Sequence, residues 1–334
     1  MLIKFMKKLL RNNARIYIFA RHILNIIRYS GESSKLVYTC RDYIKGGNIK
    51  GNAIRTILKI LVTPYCILKY FHIRNVPGRE GLALVLIAKN EAPYIEEWIN
   101  YHHKNGVSHF IIFDNDSTDN FHEVLKPYIE SGLVSYHEIH GRARQFDAYT
   151  KAIVNYGDKF KYMGFIDADE FLLLRKSAGD INLYEFIDNF MKEHPKAGGI
   201  IVNWCIFGSS GYETKPEGGL LENFIMRAKD DCEIHRSFKT ICDPVKAICF
   251  RHVHYPLYRI GYQELYENGN LSNPVYPEIH FDKIRLNHYI TKSHQEYIRR
   301  VQKGPTPDGF GPKQNRFDLL DRNEIKDTEI LLRV

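Results

Sequence analysis

Short apolar runs alternate with amphipathic stretches along the chain from residue 81 onward. Residues 82–90, "LALVLIAKN", form an unbroken aliphatic run of strand length, which is typical of a strand covered on both faces. Residues 91–106 then place apolar side chains at helical spacing, and Pro93 suits the first turn of a helix. Together the two stretches predict a βα unit.

The same alternation recurs further along the chain. Residues 109–120, "HFIIFDNDSTDN", and residues 133–140, "LVSYHEIH", each predict a strand, and a helix is expected to begin near Phe121. A helix over residues 144–160 and a strand over residues 162–171, "YMGFIDADEF", extend the series. The alternation predicts a doubly wound α/β sheet flanked by helices, whose ligands bind beyond the carboxyl ends of the strands.

Proline and glycine mark the expected domain boundaries. The stretch "NVPGREG" ends a basic N-terminal region, which we predict to be helical and to cover residues 1–80. The α/β domain is expected over residues 81–303. Residues 304–334 open with "GPTPDGFGP" and are expected to form a C-terminal loop and a short helix.

The N-terminal region contains two apolar segments, residues 1–30 and 57–73, that are interrupted by basic residues or proline. Neither offers the run of about 20 apolar residues that a membrane-spanning helix needs, and no signal peptide is expected. Two alternatives remain open: amphipathic helices lying on an anionic membrane surface, or ordinary packing against the main domain. We therefore expect a cytoplasmic protein, with a peripheral position at the inner face of the membrane under the first alternative.

Charge and cysteine content narrow the class of protein further. The 334 residues carry a formal charge of +8, which favours anionic partners such as phosphorylated metabolites, acidic lipids or nucleic acid. Nucleic acid is not expected as a partner, because no helix-turn-helix, zinc or aromatic RNA-binding signature accompanies the charge. The six cysteines include no C-x-x-C pair, which fits reduced thiols in a cytosolic protein.

Three carboxylates, Asp167, Asp169 and Glu170, lie within four positions at the end of an apolar run. Alternation along a strand would point Asp167 and Asp169 to the same side, where they could converge on one hard cation, Mg²⁺ or Mn²⁺. Such close like charges repel unless a cation or the protonation of one member relieves them. A metal site and a merely solvated acidic turn are the alternatives.

A second acidic stretch, "DNDSTDN" at residues 114–120, follows the second predicted strand. It lacks the Gly and the Glu that a calcium-binding EF-hand loop needs at its sixth and twelfth positions. Two compatible roles remain. Ser117 or Thr118 can cap the next helix, and Asp114 can accept hydrogen bonds from the base or ribose of a nucleoside.

Residues 84–120, "LVLIAKNEAPYIEEWINYHHKNGVSHFIIFDNDSTDN", followed some fifty residues later by "FIDADEFLL", resemble the nucleotide-binding half of a GT-A glycosyltransferase. More specifically, the chain resembles the family-2-like and family-92-like bacterial group. The later stretches "WCIFGSSG", "LLENFIMRA", "RSFKTICDP" and "LNHYITKSHQEY" fit the same pattern, so the resemblance covers roughly Leu82 to Val301. It implies a GT-A, Rossmann-like mixed sheet flanked by helices, preceded here by a basic helical extension.

The resemblance also implies an activity and a set of site residues. The expected enzyme is a metal-dependent, inverting glycosyltransferase of surface polysaccharide synthesis, moving a sugar from a nucleotide sugar, with a UDP-sugar favoured, to a glycan or lipid-linked acceptor. Lys89, Asn90, Glu91, Asp114 and Asp167 would line the nucleotide pocket. Asp167 and Asp169 would hold Mn²⁺ or Mg²⁺ as the D-x-D motif. His288 would complete the metal sphere, or it is a hydrogen-bonded core residue.

The general base and the class of reaction remain open. Glu222 is the favoured base and Asp231 the second choice, although Glu222 could equally stabilise a helix N-terminus. Four basic residues could hold phosphates or lie on the surface: Arg227, Arg236, Lys239 and Lys292. One alternative is a nucleotidyl or phosphoryl transferase, although the chain has no glycine-rich phosphate loop. The other is a non-catalytic basic peripheral membrane protein.

Overall fold

The structure is a computed structural model that describes residues 23–37, 49–71, 75–272, 277–302 and 316–334. Most of the predicted N-terminal segment 1–30 and all of the "GPTPDGFGP" stretch lie outside these residues.

Strands form one large sheet in the middle of the molecule and two separate two-stranded sheets. In chain order they are β1 (Glu80–Ala88), β2 (His109–Asp114), β3 (Val134–Glu138), β4 (Phe160–Phe165), β5 (Glu170–Leu174), β6 (Ala197–Ile206), β7 (Met226–Arg227), β8 (Phe238–Cys242), β9 (Ala247–Phe250), β10 (Pro256–Tyr258), β11 (Gln263–Leu265), β12 (Ile284–His288) and β13 (Ile325–Lys326). The main sheet has the order β3-β2-β1-β4-β8-β6-β12-β5, with β11 also paired to β6.

Helices pack on both faces of this sheet, and further helices lie beyond it. They are α1 (Ile49–Phe71), α2 (Ala92–Lys104), α3 (Phe121–Glu130), α4 (Gln145–Tyr156), α5 (Leu183–Glu193), α6 (Leu220–Asn223), α7 (His294–Gln302) and α8 (Phe317–Leu320). The expected α/β class, a mixed sheet flanked by helices, is confirmed.

Strand β1 shows why the aliphatic run is unbroken. Leu84 and Leu86 point into one core, which contains Trp98 of α2, whereas Ala83 and Val85 point into a second core on the opposite face of the sheet. Both sets are fully buried. A strand between two apolar layers cannot alternate with polar residues, so the sequence pattern follows directly from the burial.

The parallel part of the sheet brings the ends of several strands to one edge. Strand β1 pairs in parallel with β2 and with β4, and β2 pairs in parallel with β3. In contrast, β8 is antiparallel to β4 and β6, and β5 is antiparallel to β12. The sheet is therefore mixed, and the carboxyl ends of β1, β2 and β4 meet at a single edge, where α/β proteins bind ligands.

The strand predicted over residues 162–171 is wrong in one respect. Strand β4 ends at Phe165 and β5 begins at Glu170, so Asp167 and Asp169 lie in the intervening turn. The backbone N–H of Glu170 donates to the carbonyl oxygen of Asp167 over 3.1 Å, which closes this turn. Two apolar runs flank the turn, and their periodicity alone does not reveal the break between them.

The predicted capping of α3 is also wrong, although the helix begins at Phe121 as expected. Its N-cap residue, Asn120, makes no side-chain capping bond to a described residue. The Ser117 hydroxyl instead accepts a hydrogen bond from the backbone N–H of Asn90 over 3.0 Å. Ser117 therefore ties the loop after β2 to the loop after β1.

The segments at the two ends of the chain contact the α/β domain. Residues 30–33 pack against α1 on one side and against α4 and β9 on the other. At the other end of the chain, β13 pairs with β7, and Asp327 binds Arg227 over 2.6 Å. The domain boundaries at residues 80 and 303 stay predictions. Among the described residues, no helix has the length and apolarity required to cross a bilayer.

The two-sided burial of β1 predicts a large stability loss when its core side chains are shortened. We expect Leu84→Ala to lower the free energy of unfolding by about 2–5 kcal/mol, because it leaves a cavity in a fully buried layer. Urea denaturation measures this loss. Leu319→Ala is the matched control, since Leu319 is 50% exposed, and it should stay within about 0.5 kcal/mol of the wild type. Equal losses for both variants would contradict the prediction.

Candidate functional site

A cavity of about 830 Å³ lies at the carboxyl ends of β1, β2 and β4. Its walls come from residues 87–91, from the start of α4, from the turn at residues 167–169 and from residues 290–302. The volume falls in the range of about 300–1,000 Å³ that is usual for small-molecule sites. The cavity therefore occupies the position and has the size expected of a ligand site in an α/β sheet.

The sequence-predicted nucleotide residues reach this cavity with one exception. Lys89, Asn90, Glu91 and Asp167 all line it. Asp114 is buried beside it, and its carboxylate accepts hydrogen bonds from the Ser117 backbone N–H at 2.9 Å and from the Tyr136 hydroxyl at 2.7 Å. Asn115 and Asp119, from the same loop, line the wall in its place. Asp114 thus shapes the loop beneath the cavity.

Lys239 of β8 neutralises the first of the three clustered carboxylates. Its ammonium lies 2.8 Å from Asp167 Oδ2 and 3.5 Å from Glu170 Oε2, and its side chain is only 2% exposed. Burial would lower the pKa of Lys239, but Asp167 and Glu170 outweigh burial and raise it. Lys239 is therefore a buried cation in the floor of the site.

Arg300 of α7 neutralises the second carboxylate. Its guanidinium contacts Asp169 Oδ2 and also donates to the carbonyl oxygen of Ile290 over 3.1 Å. Burial alone would raise the pKa of Asp169, yet Arg300 outweighs it and holds that pKa well below its usual range. Asp169 is therefore ionised, and its charge is matched by a protein side chain.

Glu170, the third carboxylate, is fully buried. Its Oε2 accepts the backbone N–H of Asp167 over 2.7 Å. Burial raises the pKa of Glu170, the charges on Asp167 and Asp169 raise it further, and Lys239 opposes them. The cluster therefore reaches balance with two carboxylates, two cations and one protonated Glu. The repulsion among the three carboxylates is therefore relieved both by basic side chains and by protonation.

His288 provides a partner that a metal ion could use. It is buried at the end of β12, with Nε2 3.4 Å from Asp169 Oδ2, and neither ring nitrogen makes a hydrogen bond to a described residue. Burial lowers the pKa of His288, so the ring is neutral and can offer a lone pair. An orphaned buried imidazole beside a carboxylate fits a divalent cation.

The D-x-D carboxylates contribute unequally to such a site. Asp167 already accepts from Gln145 at 3.2 Å and Tyr149 at 3.3 Å in addition to Lys239, whereas Asp169 lies between Arg300 and His288. Within the described residues, no group of three His, Cys, Asp or Glu is arranged to hold a metal. The site fits an ion held by one or two protein ligands, with substrate phosphates completing the sphere.

Neither predicted general base reaches the cavity. Glu222 Oε1 accepts a hydrogen bond from the Gly219 backbone N–H over 2.8 Å at the start of α6. Glu222 therefore stabilises a helix N-terminus, which was the alternative role given to it from the sequence. Asp231 is exposed in the loop after β7. Five other carboxylates line the cavity: Glu91, Asp119, Asp167, Asp169 and Glu296. Glu91 pairs with Lys292 over 3.2 Å, and Glu296 accepts the Tyr94 hydroxyl over 2.8 Å.

Cations are numerous around the cavity. Six of its lining residues are basic: Lys89, Arg144, Lys215, Lys292, Arg299 and Arg300. Of the four basic residues singled out in the sequence, Lys292 lines the cavity and Lys239 lies below it, whereas Arg227 and Arg236 pair with carboxylates elsewhere. Sequence reasoning missed Arg300. The available signal was its position three residues after the buried Tyr297, on the same face of α7.

Backbone conformation also marks this site. Asn90, Ala143 and Lys292 have φ values of 56°, 58° and 49°, and all three line the cavity. They are three of the five non-glycine residues with positive φ in the described ranges. Such conformations cost free energy and concentrate where binding or catalysis requires a fixed geometry.

Similarity to known proteins covers the same region of the chain. The sequence model of glycosyltransferase family 92 matches residues 87–307. A family 92 protein of Ricinus communis, RCOM_0530710, is 27% identical over 176 residues, which are 51% of this chain and 30% of that protein. The galactan beta-1,4-galactosyltransferase GALS2 of Arabidopsis thaliana is 38% identical over 88 residues, 23% of this chain and 17% of that protein. These relatives are plant proteins, whereas the sequence predicted a bacterial group.

The chain spans about 25–30% of the length of the first curated relatives that it matches. Among solved structures, S. aureus TarS 1-349 in complex with UDP shares 14% identity over 49% of this chain and 47% of that chain, with a TM-score of 0.34. Glucosyl-3-phosphoglycerate synthase from Mycobacterium tuberculosis, solved with Mn²⁺ and UDP, shares 21% identity over 38% of this chain and 44% of that chain, with a TM-score of 0.24.

The charge balance in the cluster predicts a pH-dependent effect of Lys239→Met. We expect the variant to lose about 3–5 kcal/mol of unfolding free energy near pH 8, because buried carboxylate charge loses its partner. Near pH 5 the loss should be smaller. The folded state of the variant binds a proton at Glu170 that the unfolded chain has released, so its stability falls as pH rises from about 4.5.

Urea denaturation of wild type and variant at the two pH values measures this difference. Lys126→Met is the control, since the Lys126 side chain is 66% exposed and its ion pair with Glu130 spans 3.9 Å. A Lys239→Met loss of the same size at both pH values would contradict the charge assignment.

Proposed function

Because this chain belongs to glycosyltransferase family 92, we propose that its cavity binds a nucleotide sugar and transfers the sugar to an acceptor hydroxyl. The observation that carries the proposal is the position of the D-x-D carboxylates, Asp167 and Asp169, on the wall of a cation-rich cavity at the carboxyl ends of parallel strands. Diphosphates are multiply charged and bind where Arg and Lys side chains converge.

The donor that we propose is a UDP-sugar. A cavity of about 830 Å³ has room for a nucleoside diphosphate and one hexose, which lies within the usual size of cofactor sites. The galactosyltransferase relatives support a galactosyl unit as the first sugar to test. Their names also support a polysaccharide acceptor, and a lipid-linked glycan in surface polysaccharide synthesis remains part of the proposal.

Asp169, on the cavity wall, and His288, buried beside it, are the residues that would hold Mn²⁺ or Mg²⁺, and Asp167 lines the same cavity. A bound ion would neutralise the charge that grows on the departing diphosphate. The protein's own contribution is to orient the two carboxylates and to balance their charge through Lys239 and Arg300. Arg299 and Lys292 line the wall and can bind phosphate oxygens.

We propose direct displacement with inversion. The acceptor oxygen bonds to the anomeric carbon as the bond to the diphosphate breaks, and the hydroxyl proton passes to a carboxylate in the cavity. Glu91 and Glu296 line the cavity and replace Glu222 and Asp231 as the candidate bases. Glu91 carries the stronger case, because the Glu296 carboxylate already accepts hydrogen bonds from Tyr94 and Ser293.

Loss of the second D-x-D carboxylate should uncouple nucleotide binding from metal. We expect Asp169→Asn to weaken UDP binding in the presence of Mn²⁺ by at least about tenfold, because a neutral amide is a poorer ligand for a hard cation. Binding without metal should change little. Isothermal titration calorimetry with UDP, with and without Mn²⁺, measures both. Asp231→Asn is the matched control and should titrate like the wild type; unchanged binding by Asp169→Asn would refute its role.

Removal of the general base should lower turnover without lowering donor affinity. We expect Glu91→Gln to reduce kcat/KM by about 10²–10⁴ while the Kd for UDP stays near that of the wild type. Glu222→Gln and Asp231→Asn should retain activity within about twofold, since both lie outside the cavity. Mass spectrometry of products from a panel of nucleotide sugars provides the assay. A dead Glu222→Gln enzyme with normal UDP binding would restore Glu222 as the base.

A further inference from the structure

Two basic residues of helix α1, Arg55 and Lys59, turn inward. Arg55 Nη2 lies 2.9 Å from Glu32 Oε2, and Lys59 Nζ lies 2.5 Å from Glu32 Oε1. Burial would raise the pKa of Glu32, but Lys59 and Arg55 outweigh it and hold that pKa below its usual value. The ion pairs therefore persist at neutral pH and fix the rotation of α1 about its axis.

The opposite side of α1 is apolar and exposed. Its large side chains are between 54% and 72% exposed and recur every three or four positions: Ile54, Ile57, Ile60, Leu61, Tyr65 and Leu68. In a surface helix the apolar stripe ordinarily faces the core and the charges face water. Here the order is reversed. Leu24, Ile27 and Leu36, between 51% and 63% exposed, lie in the neighbouring segment.

The neighbouring segment holds α1 in this orientation. A Cβ at Gly31 would meet Thr63 Oγ1 at 2.4 Å and the carbonyl oxygen of Lys59 at 2.9 Å, so the segment around Gly31 and helix α1 touch closely there. On its other side, Ile26 packs with Ile248 and Cys249 of the main domain. These packing contacts hold α1 in the orientation that exposes its apolar side chains.

Charge is distributed very unevenly along the chain. Residues 1–80 contain sixteen Lys and Arg against three Asp and Glu, a net charge of +13. Since the whole chain carries +8, residues 81–334 carry a net charge of −5. Exposed basic residues, Arg28, Lys35 and Lys50, belong to the same segments as the apolar side chains. The N-terminal region therefore combines exposed apolar side chains with a strong positive charge.

We infer that the exposed apolar side of α1, Ile54, Ile57, Ile60, Leu61, Tyr65 and Leu68, is a docking face for an anionic lipid bilayer. The helix lies in the plane of the interface with these side chains among the acyl chains, and the basic residues contact acidic headgroups. The positive charge of residues 1–80 favours anionic lipid over a second copy of the chain on this face. Two copies of the chain would bring regions of +13 together, which opposes self-association, whereas anionic lipid is complementary.

Sedimentation with lipid vesicles tests this inference on the full chain. The wild type should bind phosphatidylcholine vesicles containing about 30% phosphatidylglycerol at least tenfold more tightly than pure phosphatidylcholine vesicles, and added salt should weaken binding. The double variant Ile57→Glu, Leu61→Glu should bind the anionic vesicles at least about tenfold more weakly, because both apolar side chains are lost from the interface. Its Tm should match that of the wild type.

Thr56→Glu is the matched control, since Thr56 is exposed on α1 but lies outside the apolar stripe, and it should bind nearly as the wild type does. Three outcomes would overturn the inference. One is equal binding by the wild type and the double variant. Another is a wild-type dimer in light scattering that the double variant converts to a monomer. The third is a wild type that ignores vesicles while the double variant loses Tm, which would place part of the chain itself on the face.

Discussion

Neutralisation of three carboxylates packed into one turn is the constraint on which the site depends. Asp167, Asp169 and Glu170 follow each other between β4 and β5, and two of the three are buried. Unbalanced charge in such a place costs several kcal/mol, so each member needs a cation or a proton. The fold supplies Lys239 and Arg300, and burial keeps the third carboxyl protonated.

The partners come from distant parts of the chain, and this ties the site to the completed sheet. Lys239 belongs to β8, the antiparallel strand inserted between β4 and β6, and Arg300 belongs to the helix that follows β12. Trp98 adds an anchor from below, since its indole N–H donates to the carbonyl oxygen of Glu170 over 2.8 Å. The turn is therefore held in place by three separate elements, as a preorganised binding wall requires.

Sequence patterns revealed the parallel strands and the acidic strand ends because both signals are local. An aliphatic run such as residues 82–90 reports two-sided burial directly, and the carboxylates stand next to it in the sequence. The charge pairing was not visible, because Lys239, named from sequence only as a possible phosphate ligand, is 72 residues from Asp167, and Arg300 is 131 residues from Asp169. The helix-capping function of Glu222 is local, which is why its alternative role could be stated from sequence.

Residues 30–33 connect the inferred membrane-docking face of α1 to the wall of the cavity. These residues touch α1 and α4, and the first turn of α4 carries Gln145 at the cavity wall. A helix is stiff over this length, so the cavity mouth would keep one height and one tilt relative to a bilayer bound by α1 as inferred above. Acceptor groups at other distances from the headgroups would be out of reach, and membrane geometry itself would act as a selectivity filter.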